Sequence, residues 1–234
     1  MNEPMNFQSN PAATELAGRI DHTQLKCEAG RVAIEQLCGE AGAYGFASVC
    51  VHPCHVRYAA ELLKGQASRV GSVVGFPWGV NHTQVKRAEA AQAIADGASE
   101  LDMVVNLPAV FDANWAYVRR DVAEVLCECR RGKQAVTLKV ILETAALDQS
   151  TKVTLCELLG EVGVDYLKTS TGLHAAGGAT VEDVALLDGH RGPCKVKAAG
   201  GIRDLATAQA MLQAGADRLG TSSGVAIVQA VVKS

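Results

Sequence analysis

The segment DYLKTSTG, residues 165–172, carries a short apolar run that ends on Lys168 and passes at once into hydroxyls and a glycine. A lysine there is an amine at the mouth of a buried strand, the setting in which lysine acts as a nucleophile. The later segment KVKAAGGIRD, 195–204, repeats the design, with Lys197 at a strand end and Gly200-Gly201 behind it. Two lysines directed at one pocket repel each other. Chemistry explains such a pair better than stability does.

Working outward, the same unit recurs along the chain. Apolar runs lie around Ile20 and in SVCVH (48–52), RVGSVVGF (69–76), ELDMVV (100–105), TLKVILE (137–143), DYLKTS (165–170), CKVKAA (194–199) and DRLGTS (217–222), eight in all. β-Branched residues are frequent in several, and Gly, Pro or Asn often follows, as for strands buried on both faces. Helical periods lie between them. Ile34, Leu37, Cys38 and Ala41 make one apolar face. Trp115, Val118, Val122, Val125 and Leu126 make another, which closes on Arg130, Arg131 and Gly132. Thr180-Val181-Glu182-Asp183 reads as a capping-box variant, and Gly97, Gly163 and Gly215 sit where helices end. Eight strand–helix units in one chain predict a single (β/α)8 TIM barrel. A doubly wound open sheet is the alternative, but no G-x-G-x-x-G opens a helix and no Walker lysine loop is present.

The expected barrel domain spans 13–234, preceded by a flexible tail over 1–12, MNEPMNFQSNPA. That start lacks the charge and apolar stretch of an export signal. With 234 residues, 48% hydrophobic and 20% charged, the chain has the composition of a globular protein with one large core. A net charge of −3 argues against a general nucleic-acid binder but allows a local basic pocket. The apolar runs are too short to span a bilayer. Eight cysteines scattered through strands and helices read as free thiols in a reducing cytosol.

In a barrel, catalytic side chains come from the C-terminal ends of strands. Asp102, Lys139, Lys168 and Lys197 all fall inside or at the ends of the fourth to seventh predicted strands. A lone lysine in an apolar run is usually a snorkelling surface residue. Three lysines and an aspartate on successive strands do not fit that description. Lys168 is the candidate Schiff-base nucleophile, with Lys197 as the neighbouring ammonium that favours its neutral form. Asp102 is placed to hold Lys197 or a water and move protons, and Lys139 to balance Asp102. Gly200, Gly201 and the Gly220-Thr221-Ser222-Ser223 segment follow the seventh and eighth strands, a frequent phosphate site in barrels. Glycines of this kind also serve simply to turn the chain.

CVHPCH, 50–55, offers Cys50, His52, Cys54 and His55, but no second ligand pair at zinc spacing. A wall of the site is the preferred reading, and no metal is expected. Trp78 either caps the pocket or fills a gap. His82, His174 and His190 read as loop or helix-end residues.

The ordered segments IDHTQL (20–25), SVCVHP (48–53), VVGFPWG (73–79), ELDMVVN (100–106), LKVILET (138–144), DYLKTSTG (165–172), VKAAGGIR (196–203) and RLGTSSG (218–224) resemble the deoxyribose-phosphate aldolase family. The resemblance implies a class I aldolase on a barrel that reversibly cleaves 2-deoxy-D-ribose 5-phosphate to D-glyceraldehyde 3-phosphate and acetaldehyde. It implies that Lys168 forms the Schiff base, with no other cofactor, and that Asp102 and Lys197 transfer protons. Lys139 matches a lysine beside that pair, Asp21 and Thr23 match polar residues lining the site, and Cys50 matches a cysteine near the pocket. Thr169 and Gly172, with Gly200, Gly201, Gly220, Ser222 and Ser223, complete the expected substrate-binding set. Leu173 stands where some members carry a phosphate-holding lysine, so a weak phosphate preference is expected. The chain ends in VVKS rather than the tyrosine of some members. A homodimer is expected. The rival readings are another Schiff-base aldolase or isomerase on a phosphate-binding barrel, and a sugar-phosphate-binding barrel without catalysis.

Overall fold

The computed structural model describes residues 10–132 and 135–233. Within them β1 (Ile20–Gln24), β2 (Ser48–Val51), β3 (Arg69–Val74), β4 (Glu100–Val104), β5 (Thr137–Ile141), β6 (Tyr166–Lys168), β7 (Lys195–Ala199) and β8 (Arg218–Thr221) form one closed barrel in chain order. Every neighbouring pair is parallel, and β8 returns to β1 through Ile20↔Leu219 and Asp21↔Gly220. This closure establishes the expected (β/α)8 barrel and removes the open-sheet alternative.

The helices are α1 (Pro11–Ala17), α2 (Arg31–Tyr44), α3 (Val56–Leu62), α4 (Thr83–Ala95), α5 (Leu107–Phe111), α6 (Trp115–Arg130), α7 (Gln149–Val162), α8 (Val181–His190), α9 (Leu205–Gln213) and α10 (Gly224–Lys233). None of the described helices is long and apolar enough to cross a membrane. α1 begins earlier than expected. Asn10 accepts hydrogen bonds from Ala12 and Ala13 N–H at 3.1 and 3.2 Å, and Pro11 supplies the fixed first turn. Residues 10–12 of the expected tail belong to this helix start, and residues 1–9 lie outside the described residues.

Helix faces follow the sequence periods. Ile34, Leu37, Cys38 and Ala41 of α2 are buried, as are Val118, Val122 and Val125 of α6. Thr180 caps α8 by accepting from Asp183 N–H at 3.1 Å. Gly163 ends α7 in the left-handed region, at φ 86°, where a Cβ would be disfavoured.

Strand alternation separates two environments. Leu101 and Met103 of β4, Leu138 and Val140 of β5, and Val196 and Ala198 of β7 face outward into the apolar layer beneath the helices. Their neighbours Glu100, Asp102, Lys139 and Lys197 face the barrel interior, and all are buried. The runs read as largely apolar because the outward face is apolar throughout and the inward face mixes its charges with apolar residues such as Val104, Ile141 and Ala199.

One buried ion pair lies outside the barrel. Lys86 of α4 sits 2.6 Å from Asp121 Oδ2 of α6 and donates to the Val104 carbonyl at 3.1 Å. Thr83 donates to Asp121 Oδ1 at 2.7 Å. Gly75, at φ 64°, makes room for the lysine, since a Cβ there would meet Lys86 Cε at 2.9 Å. The pair ties two helices to the end of the strand that carries Asp102.

Candidate active site

The barrel interior is built in layers of four side chains drawn from alternate strands. Register places Ser48, Glu100, Tyr166 and Arg218 in the lowest polar layer. Asp21, Gly71, Lys139 and Lys197 form the next, and Cys50, Asp102, Lys168 and Gly220 the one above it. The middle layer holds the most charge, and Lys168, the last residue of β6, stands in the layer nearest the C-terminal end of the barrel.

Asp102 is the hub. Its Oδ2 lies 2.7 Å from both Lys168 Nζ and Lys197 Nζ, and its Oδ1 lies 2.8 Å from Lys139 Nζ. Lys139 also reaches Glu100 at 2.6 Å. Lys197 reaches Asp21 Oδ2 at 2.5 Å, and Asp21 Oδ1 takes Arg218 at 2.5 Å and the Ser48 hydroxyl at 2.7 Å. All four sequence candidates from the fourth to seventh strands meet in one ion network.

The network sets protonation states by position. Burial opposes ionisation of Asp102, but Lys139, Lys168 and Lys197 outweigh it and hold the carboxyl well below its ordinary range. Burial likewise opposes charge on Lys139, but Asp102, Asp21 and Glu100 raise its pKa well above the usual lysine value. Lys197 is raised against burial by Asp102 and Asp21. Lys168 goes the other way: burial lowers it most, Asp102 partly restores it, and Lys197 lowers it again. The expected effect of Lys197 is therefore real but secondary to burial.

Charge counting agrees. Three carboxylates, Asp21, Glu100 and Asp102, face four cationic groups within the barrel, Lys139, Lys168, Lys197 and Arg218, while solvent-exposed Arg69 reaches Glu100 from outside at 3.5 Å. The interior is neutral when one base is neutral. Lys168 has a single carboxylate partner, whereas Lys139 and Lys197 have at least two each. The proton is cheapest to remove from Lys168.

The other expected residues divide. Cys50 is in the interior beside these groups, but burial and the Asp102 charge push its thiol up to about 11, so it is a neutral wall. Thr23 lies above Asp21 on β1 and donates to the Asp21 carbonyl at 2.8 Å. Thr169 bridges β6 to β7, donating to Ala199 O at 3.1 Å and accepting from Ala199 N–H at 3.0 Å. Gly172 and Gly200, at φ 81° and 90°, bring their loops together, where a Cβ on Gly200 would meet Gly172 Cα at 3.2 Å. Gly201 is exposed beside them. Ser222 and Ser223 directly precede α10, and Ser223 N–H donates to Thr221 Oγ1 at 2.9 Å.

Gly220 sits lower than the phosphate-loop reading suggested, inside β8. A Cβ there would meet Lys197 Cε and Ala199 Cβ at 3.0 Å. Its service is room for the lysine. Gly220→Ala is expected to shift the Lys197 ammonium off Asp102 and lower kcat about tenfold without unfolding the barrel, as read by kinetics and circular dichroism.

His52 bonds the Leu25 carbonyl at 3.1 Å, and Cys54 is exposed, so CVHPCH does not converge. Among the described residues no three His, Cys, Asp or Glu side chains gather in a metal-holding group. Trp78 is half exposed and fills no internal gap. All eight cysteines are free.

Glu100, Arg218 and Ser48 went unread as site residues. Glu100 stands two residues before Asp102, so strand alternation alone puts both on one face. Arg218, at the start of β8, gave no comparable signal.

A closed barrel that gathers ionisable groups in its interior, with the amine at the C-terminal end of β6 driven toward neutrality, has the make-up of a barrel enzyme of the lysine-amine type. The model of the DeoC/LacD family aldolases matches residues 16–230, and the chain belongs to that family. A deoxyribose-phosphate aldolase of Geobacillus sp. (strain WCH70) is 51% identical over 215 residues, covering 92% of this chain and 95% of the relative. One from Thermococcus gammatolerans is 49% identical, covering 92% and 96%. The tetrameric deoxyribose phosphate aldolase structure from Aeropyrum pernix superposes with a TM-score of 0.84 at 31% identity, covering 97% and 95%.

Proposed function

We propose that this chain is a class I aldolase that reversibly cleaves 2-deoxy-D-ribose 5-phosphate to D-glyceraldehyde 3-phosphate and acetaldehyde, with Lys168 as the Schiff-base lysine. The observation that carries the reading is the sharing of Asp102 Oδ2 by Lys168 and Lys197, each at 2.7 Å. A nucleophilic amine and a persistent ammonium stand side by side on one carboxylate.

The open-chain aldehyde at C1 takes the Lys168 amine, and loss of water gives an iminium. Asp102, already placed against Lys168 Nζ, is the counter-ion for that charge. The C3 hydroxyl loses its proton through a water held by Asp102 and Lys197. The C2–C3 bond then breaks, its electrons passing into the iminium to give an enamine, and glyceraldehyde 3-phosphate departs. Protonation at C2 restores the iminium, and hydrolysis frees acetaldehyde and the amine. The iminium is the electron sink, so the scheme uses no metal.

The phosphate arm is assigned to the loops at Gly172, Gly200-Gly201 and Ser222-Ser223, which end neighbouring strands β6, β7 and β8. Leu173 is 55% exposed there and offers no charge. Leu173→Lys is expected to lower KM for the phosphate ester about threefold while leaving kcat unchanged, a surface-charge effect that fades with added salt. Small sugar phosphates and aldehydes are the partners in this reading, and a cytosolic homodimer is its expected form. The relative from Aeropyrum pernix is tetrameric, so light scattering of this chain decides between assemblies.

A coupled assay of acetaldehyde release from 2-deoxyribose 5-phosphate tests the activity. Release that disappears with Lys168 supports it. A pure, folded chain that releases none, or that acts only on a ketose phosphate, refutes it.

A further inference from the structure

Glu143 lies just beyond β5, on the strand face of Lys139 and Ile141. Its backbone is left-handed, at φ 59° and ψ 56°. A long side chain adopts that conformation only where the surroundings demand it. Among the described non-glycine residues, only Ala113 also has a positive φ. The kink buries the carboxylate, which is 1% exposed. It accepts from Thr171 Oγ1 at 2.6 Å and from Thr171 N–H at 3.2 and 3.4 Å. Among the described residues no cation pairs with it within ion-pair distance. A buried carboxylate held only by neutral donors is costly, and a hydrophobic residue would fill the space more cheaply.

The consequence is local. Thr171 Oγ1, fixed by Glu143, accepts Leu173 N–H at 3.2 Å. Gly172 lies between them, and a Cβ on it would stand 3.4 Å from Gly200 Cα. Behind the clasp, Leu142 N–H reaches Lys168 O and Thr144 N–H reaches Thr169 O, both at 2.9 Å. The carboxylate therefore fixes the loop that leaves the amine-bearing strand and packs against the Gly200-Gly201 turn. None of its hydrogen bonds goes to Lys168, Asp102 or Lys197.

We propose that Glu143 is a positioning residue for the phosphate arm of the substrate. It acts through Thr171, holding Gly172 and Leu173 against Gly200 so that the backbone of both loops faces the phosphate. The inference rests on the aldolase reading above and adds a residue to it.

Glu143→Gly removes the carboxylate and suits the left-handed backbone, so its melting temperature is expected to match or exceed that of Glu143→Ala. In both variants KM for 2-deoxyribose 5-phosphate is expected to rise about tenfold. Cleavage of unphosphorylated 2-deoxyribose should change less than about threefold, and acetaldehyde trapping on Lys168 should proceed as in the parent. Glu143→Gln keeps an acceptor oxygen and should stay within about threefold of the parent on the ester. Equal losses on both sugars would make Glu143 a general structural residue and overturn the proposal, as would an unchanged KM for the ester. A parent chain inactive on the ester would instead overturn the aldolase reading, and this inference with it, before any variant is compared.

Discussion

Replacing Lys168 by leucine is expected to lower kcat by about ten-thousand-fold or more and leave the barrel folded. The two halves of that expectation have one cause. Lys168 is the base whose proton the interior holds least well, with burial and Lys197 both acting against its charge. Removing it leaves Asp21, Glu100 and Asp102 matched by Lys139, Lys197 and Arg218, all still within the same network. Leucine therefore costs the nucleophile and little else. Kinetics with a thermal melt checks both halves: near-normal turnover, or a collapsed melt, contradicts them.

Asp102→Asn is expected to lose activity and stability together. The carboxylate compensates three lysines, at 2.7 to 2.8 Å, from a site that is fully buried. Asparagine keeps the volume but turns an amide group toward at least one ammonium. Breaking a buried ion pair on one side costs about 3–5 kcal/mol. For a chain of this size that is a fall of roughly 10 °C in Tm. The loss of the Asp102 charge also frees the Lys168 amine further, yet kcat is expected to fall about a thousandfold, because the iminium loses its counter-ion and the water its base. A variant that melts with the parent and turns over within tenfold of it would contradict the hub assignment.

These two variants separate what the sequence made legible from what it did not. The strands were readable because each is a short apolar run closed by Gly, Pro, Asn or a hydroxyl, and eight of them leave few architectures. Lys139, Lys168 and Lys197 stood out because charge within such runs is conspicuous. Glu100 was hidden by standing at the start of its run, where a charged residue is ordinary. Arg218 was hidden the same way. The partners of Lys86 and Glu143 are set by tertiary approach: Asp121 comes from a different helix, and Thr171 from a loop reached only after another strand and helix. No local pattern encodes those distances. The closeness of Gly220 to Lys197 is hidden for a related reason, since a glycine in a strand and a glycine in a turn look alike until the neighbouring lysine is located.

The central claim is that Lys168, and neither of the two lysines beside it, is the amine that condenses with the substrate carbonyl. Borohydride reduction in the presence of acetaldehyde, followed by peptide mass mapping, tests it most directly. The account predicts an ethyl adduct on Lys168 alone, with trapping already efficient below the ordinary lysine pKa because burial depresses that amine. An adduct on Lys197 or Lys139, or none in a folded sample, would contradict it.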